Sequence, residues 1–69
     1  MTFGEKVRMY REQRGLTGEE LGRLTGLTQQ AISAYENGVS KNPLPVAKMA
    51  LASALRVKPS QLDDDKEAN

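Results

Sequence analysis

Apolar side chains recur along the chain at the three- and four-residue intervals of a helix, and no stretch alternates in the way that predicts a β-strand. The first stripe consists of Phe3, Val7 and Tyr10, and it predicts a helix over residues 2–14. Gly15 follows at the position where helices commonly end in a left-handed residue. The pattern therefore predicts an all-α protein.

Two short helices follow, separated by a tight turn. Thr17 and Glu20 are spaced as a capping box, and the helix that they open ends before Gly26. Thr28 suits the start of the next helix, which runs to Asn37. Two capped helices joined by about three residues that include glycine are typical of a helix-turn-helix, whose second helix lies in the DNA major groove.

Two further helices are predicted after a loop that contains proline. The fourth begins near Pro45 and carries apolar residues as far as Leu55, and Pro59 suits the first position of a short fifth helix. We therefore predict a compact five-helix domain over residues 1–62. Residues 63–69 hold four acidic side chains and little apolar content, so we expect a disordered acidic tail there.

The helix after the turn has one small, polar face and one apolar face. At about 100° per residue, the polar face collects Gln29, Gln30, Ser33, Ala34 and Asn37. The opposite face holds Ala31, Ile32 and Tyr35, which suit packing against Leu21 and Leu24 of the preceding helix. Glutamine can pair with adenine through two hydrogen bonds, and alanine can contact a thymine methyl group. Two glutamines in a first helical turn are otherwise ordinary polar residues, and their place in the helix-turn-helix is what favours base contacts.

Composition argues against several other functions. The sequence contains neither cysteine nor histidine, which removes thiolates, the commonest general base and the commonest zinc ligand. Glu19 and Glu20 are adjacent carboxylates, but their position at the start of a helix already explains them. We expect no enzymatic activity, no cofactor and no bound metal.

The net charge of +1 is unevenly distributed. Residues 1–62 carry nine basic and five acidic side chains, a net charge of +4, whereas residues 63–69 carry one basic and four acidic side chains, a net charge of −3. A mildly basic domain suits a nucleic-acid binder, although many neutral domains also end in acidic tails. The longest apolar stretch, residues 49–55, is far shorter than the ~20 residues that span a bilayer, so we expect a cytoplasmic protein that does not enter a membrane.

The segment Leu16–Gly38 resembles the Cro/C1/Xre-type helix-turn-helix family, which includes the lambdoid phage repressors. The resemblance continues through Asn42-Pro43 and residues 52–57, and it covers about residues 3–62. It implies a five-helix fold in which helices two and three form the motif. It also implies homodimers that bind near-palindromic operators in double-stranded DNA.

Three positions depart from the family pattern. Gly18 stands where the family usually has glutamine, so a backbone amide at the helix N-terminus would have to make the phosphate contact there. Gly22 stands where a small alanine lets the two helices approach, and it keeps the contact at a cost of roughly 1 kcal/mol in helix propensity. Arg56 stands where glycine often ends helix four, which predicts strain or a different geometry at that cap.

The resemblance also assigns roles to individual residues. In the family, an acidic residue at the position of Glu36 pairs with an arginine in helix one, and Arg11 occupies that position, so we predict a structural salt bridge. Lys41 lies in the loop that approaches the DNA backbone. The predicted base contacts are Gln29, Gln30, Ser33 and Ala34, and the predicted phosphate contacts are Gly18, Thr28, Asn37 and Lys41. Five other cations are expected on a solvated face: Arg8, Arg14, Arg23, Lys48 and Lys58.

These features predict a sequence-specific transcriptional regulator of repressor type, whose recognition helix over residues 28–37 enters the major groove of double-stranded DNA. We expect a homodimer on a two-fold operator. Four kinds remain open: a phage-type repressor, a restriction–modification controller, an antitoxin that represses its own promoter, or the DNA-binding part of a longer regulator. The rival class is a protein-interaction module that keeps the fold, which would expose large apolar groups instead of amides.

Overall fold

The computed structural model describes residues 1–64 and contains four α-helices in that range. These are α1 Phe3–Gln13, α2 Gly18–Thr25, α3 Gln29–Glu36 and α4 Pro45–Leu55, and no strand occurs among the described residues. None of these helices is long and apolar enough to cross a membrane. The all-α prediction is confirmed, but residues 1–64 hold four α-helices and not the five helices predicted, since the segment that begins at Pro59 is not an α-helix. Pro59–Leu62 forms a 3₁₀ turn instead: the amides of Gln61 and Asp63 bond to the carbonyls three residues earlier, at 2.9 and 3.3 Å, a geometry typical of helical segments only a few residues long.

Threonine is the N-cap residue, immediately before the first helical residue, of three of the four α-helices. The hydroxyl oxygens of Thr17 and Thr28 accept hydrogen bonds from amides in the first turns of α2 and α3, at 3.0 Å in both cases. Glu20 accepts a bond from the Thr17 amide at 2.8 Å and completes the predicted capping box. Thr2 and Glu5 form a second capping box at the start of α1, which the apolar stripe did not indicate. These bonds fix where the helices begin.

One hydrophobic core joins the four helices and the 3₁₀ turn. Its most deeply buried side chains are Val7, Leu21, Ile32, Leu51 and Leu62. Leu24, predicted to pack against α3, is instead 61% exposed. The reason is that α3 and the turn before it pack against the side of α2 that carries Leu21 and Gly22. Leu24 lies outside that contact and is exposed to solvent.

Asp63 and Asp64, assigned to the tail from the sequence, bond to the body of the domain. The Lys6 Nζ atom donates to the Asp63 carbonyl oxygen at 2.6 Å. The Phe3 amide donates to an Asp64 carboxylate oxygen, and Lys48 forms an ion pair with Asp63. The rest of the predicted tail, residues 65–69, lies outside the described residues.

α1 and α3 approach each other at Gly4, which is buried. A Cβ atom at this position would lie 1.8 Å from the Tyr35 carbonyl oxygen and 3.2 Å from the Glu36 Cα atom. Because both are backbone atoms, no side-chain rotation relieves the overlap. The spacing between α1 and α3 therefore requires glycine at position 4.

We expect Gly4→Ala to lower the free energy of unfolding by about 1–3 kcal/mol, the usual cost of forcing extra atoms into a packed interior. Urea denaturation measures this change. Gly18→Ala is the matched control, because a Cβ atom there meets nothing closer than the Gln29 Cγ atom at 3.8 Å. If the two variants were equally stable, the close approach of α1 and α3 would not require glycine at position 4.

Three helices end in the same type of cap. In each, a residue just after the helix donates its amide hydrogen to the carbonyl oxygen five residues earlier. The residue immediately before that donor has a left-handed backbone conformation. The left-handed residue is Gly15 after α1, with φ 69°, and Gly38 after α3, with φ 76°. After α4 it is Arg56, with φ 60° and ψ 44°. This conformation costs a residue with a side chain roughly 1–2 kcal/mol. The strain predicted at the α4 cap is therefore present.

Arg56→Gly should raise the free energy of unfolding by about 1 kcal/mol, since the relief of left-handed strain exceeds the added entropy of glycine in the unfolded chain. Arg56→Ala is the control, because alanine removes the long side chain and keeps the strain. Thermal denaturation distinguishes the two. If Arg56→Ala stabilised the protein as much as Arg56→Gly, the stabilisation would come from loss of the arginine side chain and not from relief of backbone strain.

Candidate nucleic-acid interface

The turn between α2 and α3 passes directly against the backbone of α2. Gly26 ends α2 in the left-handed conformation, with φ 76°. A Cβ atom at Gly22 would lie 2.8 Å from the Leu27 carbonyl oxygen and 3.3 Å from the Gln29 amide nitrogen. The close contact predicted at Gly22 is therefore present, and it sets the distance between α2 and the first residue of α3.

α1 holds the other end of α3. The rings of Phe3 and Tyr35 pack edge to face, with their centroids 5.5 Å apart. The Gly4 contact lies beside this ring pair, because it also involves the backbone of Tyr35. α3 is thus fixed by α2 at its first residue and by α1 near its last.

Arg11 and Glu36 form an ion pair between α1 and α3. The Arg11 Nε and Nη2 atoms donate to the two Glu36 carboxylate oxygens at 2.7 and 3.1 Å, and Nη1 donates to the Leu16 carbonyl oxygen at 2.8 Å. The side chains of Arg11 and Glu36 are 14% and 7% exposed. The hydrogen bond to Glu36 raises the pKa of Arg11 above its usual value, so the guanidinium stays charged. Glu36 therefore points toward α1.

The opposite side of α3, here called the α3 outer face, consists of Gln29, Gln30, Ser33 and Asn37. All four are exposed, and Ala34 at the edge of the face is half-buried. The Asn37 Nδ2 atom donates to the Ser33 Oγ atom at 3.1 Å. This face offers hydrogen-bond donors and acceptors and carries no charged side chain.

The predicted phosphate contacts lie at the two ends of the α3 outer face. Gly18 opens α2 beside Gln29, since a Cβ atom at Gly18 would lie 3.8 Å from the Gln29 Cγ atom. The Thr28 hydroxyl oxygen accepts its capping bond from a backbone amide, which leaves the hydroxyl proton available to an oxygen acceptor. Lys41 is exposed and lines a depression with Gly38, beyond the last residue of α3. Sequence reasoning singled out these positions but missed Gly4, whose role depends on a distant backbone carbonyl.

Comparison with known proteins identifies the family. Residues 7–62 match the helix-turn-helix family, which is more than half of the chain. The chain belongs to the Cro/C1-type helix-turn-helix family. It is 39% identical over 56 residues to the HTH-type transcriptional repressor RghR of Bacillus subtilis (strain 168). That alignment covers 81% of this chain and 42% of RghR, so the chain spans less than half the length of this relative.

Solved structures of other proteins have the same Cro/C1-type fold. The restriction-modification controller protein C.AhdI from Aeromonas hydrophila is 35% identical, with a TM-score of 0.82 over 87% of this chain and 89% of that one. The P22 c2 repressor, solved in complex with a synthetic operator, is 28% identical, with a TM-score of 0.86 over 91% of this chain and 94% of that one. The family predicted from the sequence is therefore confirmed.

In this Cro/C1-type domain, Glu36→Ala with Arg11 intact should lower the free energy of unfolding by about 3–5 kcal/mol, because it leaves the Arg11 guanidinium, 14% exposed, without its carboxylate partner. That loss is comparable to the stability expected of so small a domain, so circular dichroism should detect a largely unfolded protein.

The double variant Arg11→Met, Glu36→Leu is the control, since it removes both charges and keeps apolar volume. It should be markedly less harmful than the single change. A Glu36→Ala protein as stable as the parent would contradict a structural role for the pair.

Proposed function

We propose that this chain is a sequence-specific transcriptional regulator that inserts α3 into the major groove of double-stranded DNA. The observation that carries the proposal is the uncharged, amide-rich α3 outer face, with Glu36 turned inward to Arg11. Recognition helices contact base edges with their N-terminal residues. Gln29 and Gln30 occupy that end of α3 and suit adenine, whose N6 and N7 atoms a glutamine amide can pair with.

Ser33 and Ala34 extend the proposed base contacts by one turn along α3. A serine hydroxyl can donate or accept a hydrogen bond at a base edge, and an alanine methyl can contact the methyl group of thymine. Both side chains are small, which lets the α3 backbone lie deep in the groove.

Four residues are proposed to contact phosphates: Gly18 through its amide, and Thr28, Asn37 and Lys41 through their side chains. Contacts of this kind set the register of a protein on the duplex, whereas base contacts set the sequence. The proposed phosphate contacts flank the proposed base contacts on both sides. That arrangement suits a helix lying in one groove between two backbones.

The names of related proteins favour repression as the outcome of binding. RghR is named a transcriptional repressor, and C.AhdI is a controller protein of a restriction-modification system. The P22 c2 repressor was solved with an operator. We therefore propose a repressor that acts by occupying an operator.

A protein-docking module is the competing function, and it would present large apolar side chains to solvent. Within residues 1–64 the large exposed apolar side chains are Met1, Leu24, Val39, Leu44, Val46 and Met49. None of them belongs to α3. The exposed chemistry of α3 therefore supports binding to DNA and not docking to an apolar protein surface.

We propose that α4 contacts a second copy of the chain in a homodimer. The α4 outer face consists of Val46, Met49, Ala50 and Ser53, which are spaced at helical intervals away from the core. Val46 and Met49 are 77% and 61% exposed. A two-fold interface brings a surface against its own copy and buries it, and this face has no charged side chain that would lose its water there. Two copies would carry two recognition helices to half-sites about 34 Å apart.

Selection from a random DNA pool with the purified chain supplies a cognate duplex. Gln29→Ala and Gln30→Ala should each weaken binding to that duplex by ~1–3 kcal/mol, the value of one good base contact, and weaken binding to random DNA much less. Fluorescence anisotropy measures both affinities. Equal losses on the two kinds of DNA would argue against base contacts.

Lys41→Ala is the matched comparison, because a phosphate contact carries no sequence information. Binding to cognate and random DNA should weaken to a similar extent, and the slope of log affinity against log salt should fall by about one unit. An unchanged slope would mean that Lys41 does not contact phosphate.

Met49→Glu tests the dimer, because it adds a carboxylate from each copy to the proposed interface and burial of a charge there is costly. Sedimentation of the protein–DNA complex should change from two copies per duplex toward one. Gln13→Glu, an exposed position on α1, is the control with the same change in charge. Two copies that persist in Met49→Glu would exclude the α4 outer face as the interface.

A further inference from the structure

Two carboxylates lie beside the loop that is proposed to contact the DNA backbone. One depression is lined by two lysines and two aspartates, namely Lys41, Lys48, Asp63 and Asp64. Lys41 and Asp64 also share the neighbouring depression, which reaches Gly38 at the end of α3. Asp63 and Asp64, which follow the 3₁₀ turn, therefore lie next to Lys41 at the edge of the proposed DNA interface.

We call Asp63 and Asp64 the acidic strap, because they tie the chain to two helices. The Asp63 carbonyl oxygen accepts a bond from the Lys6 Nζ atom of α1 at 2.6 Å, and the Asp63 carboxylate pairs with Lys48 of α4. An Asp64 carboxylate oxygen accepts from the Phe3 amide at the start of α1. Two cations of the basic domain are therefore engaged by the strap.

The ion pair between Lys48 and Asp63 is open to competition. The two side chains are 30% and 50% exposed, so water and salt reach the pair and weaken it. A DNA phosphate near Lys41 would lie within a Debye length, about 8–10 Å, of groups in the same depression. The strap carboxylates would repel that phosphate, and Lys48 would attract it once released from Asp63.

We propose that the acidic strap is an autoinhibitory contact that limits the affinity of this domain for DNA. It occupies Lys48 and opposes phosphate at Lys41, and contacts to phosphate carry no sequence information. The strap therefore lowers affinity for all sequences alike. This inference rests on the proposed function, because it presupposes DNA on the side of the domain that carries Lys41.

The test uses the full chain with Asp63→Asn and, separately, Asp64→Asn. Asparagine keeps an oxygen acceptor, so Asp64→Asn can retain the bond to the Phe3 amide while it loses the charge. Glu12→Gln is the control with the same change in net charge, at an exposed site on α1. Affinities for the selected duplex and for random DNA are measured by fluorescence anisotropy from 50 to 200 mM salt, and folding is checked by circular dichroism.

Each strap variant should bind both kinds of DNA more tightly than Glu12→Gln at 50 mM salt, because a negative charge near the proposed phosphate is removed. For Asp63→Asn the gain should be about threefold larger at 50 mM than at 200 mM salt, since one phosphate contact changes affinity by about that factor over this range. Asp63→Asn should also steepen the salt slope by about 0.9, because Lys48 gains a phosphate. If the strap variants had the same affinities and salt slopes as Glu12→Gln, the autoinhibitory role of the strap would be wrong, while the proposed DNA-binding function would be unaffected. A parent chain that selects and binds no duplex would overturn both. If Asp64→Asn unfolds, the comparison of Asp63→Asn with Glu12→Gln decides the outcome.

Discussion

Two oppositely charged side chains, Arg11 and Glu36, meet in the interface between α1 and α3, where they are 14% and 7% exposed. Each loses water on folding, and the bidentate pair between them supplies the opposing charge at hydrogen-bond distance, with Arg8 3.7 Å from Glu36 as a second, more exposed cation. Rotation of α3 about its axis would separate them and leave a buried carboxylate unpaired. Gly4 makes the contact possible, because the Tyr35 carbonyl occupies the space that a larger residue would need. The pair thus determines which side of α3 faces outward.

The chemistry of the α3 outer face follows from that orientation. Glu36, the one acidic residue of α3, is turned inward, so the outer face is left with amides, a hydroxyl and a methyl group at its edge. Gly22 brings Gln29 close to the start of α2, where phosphate contacts are proposed. None of the large exposed apolar side chains in residues 1–64 lies on α3, and two of them lie on α4. The proposed DNA contact and the proposed dimer contact therefore use different helices. The acidic strap lies at the border of the first of these surfaces.

Local signals in the sequence predicted much of this arrangement. Threonine caps and terminal glycines act over a few residues, so the starts of α2 and α3 and the left-handed residues after them follow from spacing alone. The Arg11–Glu36 pair was predicted from the family resemblance. Gly4, the exposure of Leu24 and the bond from Phe3 to Asp64 depend on contacts between distant segments, and no local pattern indicates them. The 3₁₀ turn was mistaken for a helix because proline and one apolar residue suit both.

The most direct measurement is a two-dimensional NMR titration of the full chain with the duplex selected from a random pool. The account predicts that the largest amide shifts fall on Gly18, residues 28–34, Asn37 and Lys41, while the amides of Arg11 and its neighbours in α1 move little. The shifts should be smaller and more uniform with random DNA, because only phosphate contacts then remain. Largest shifts on the α4 outer face, with residues 28–34 unmoved, would contradict the claim that α3 is held outward to contact bases.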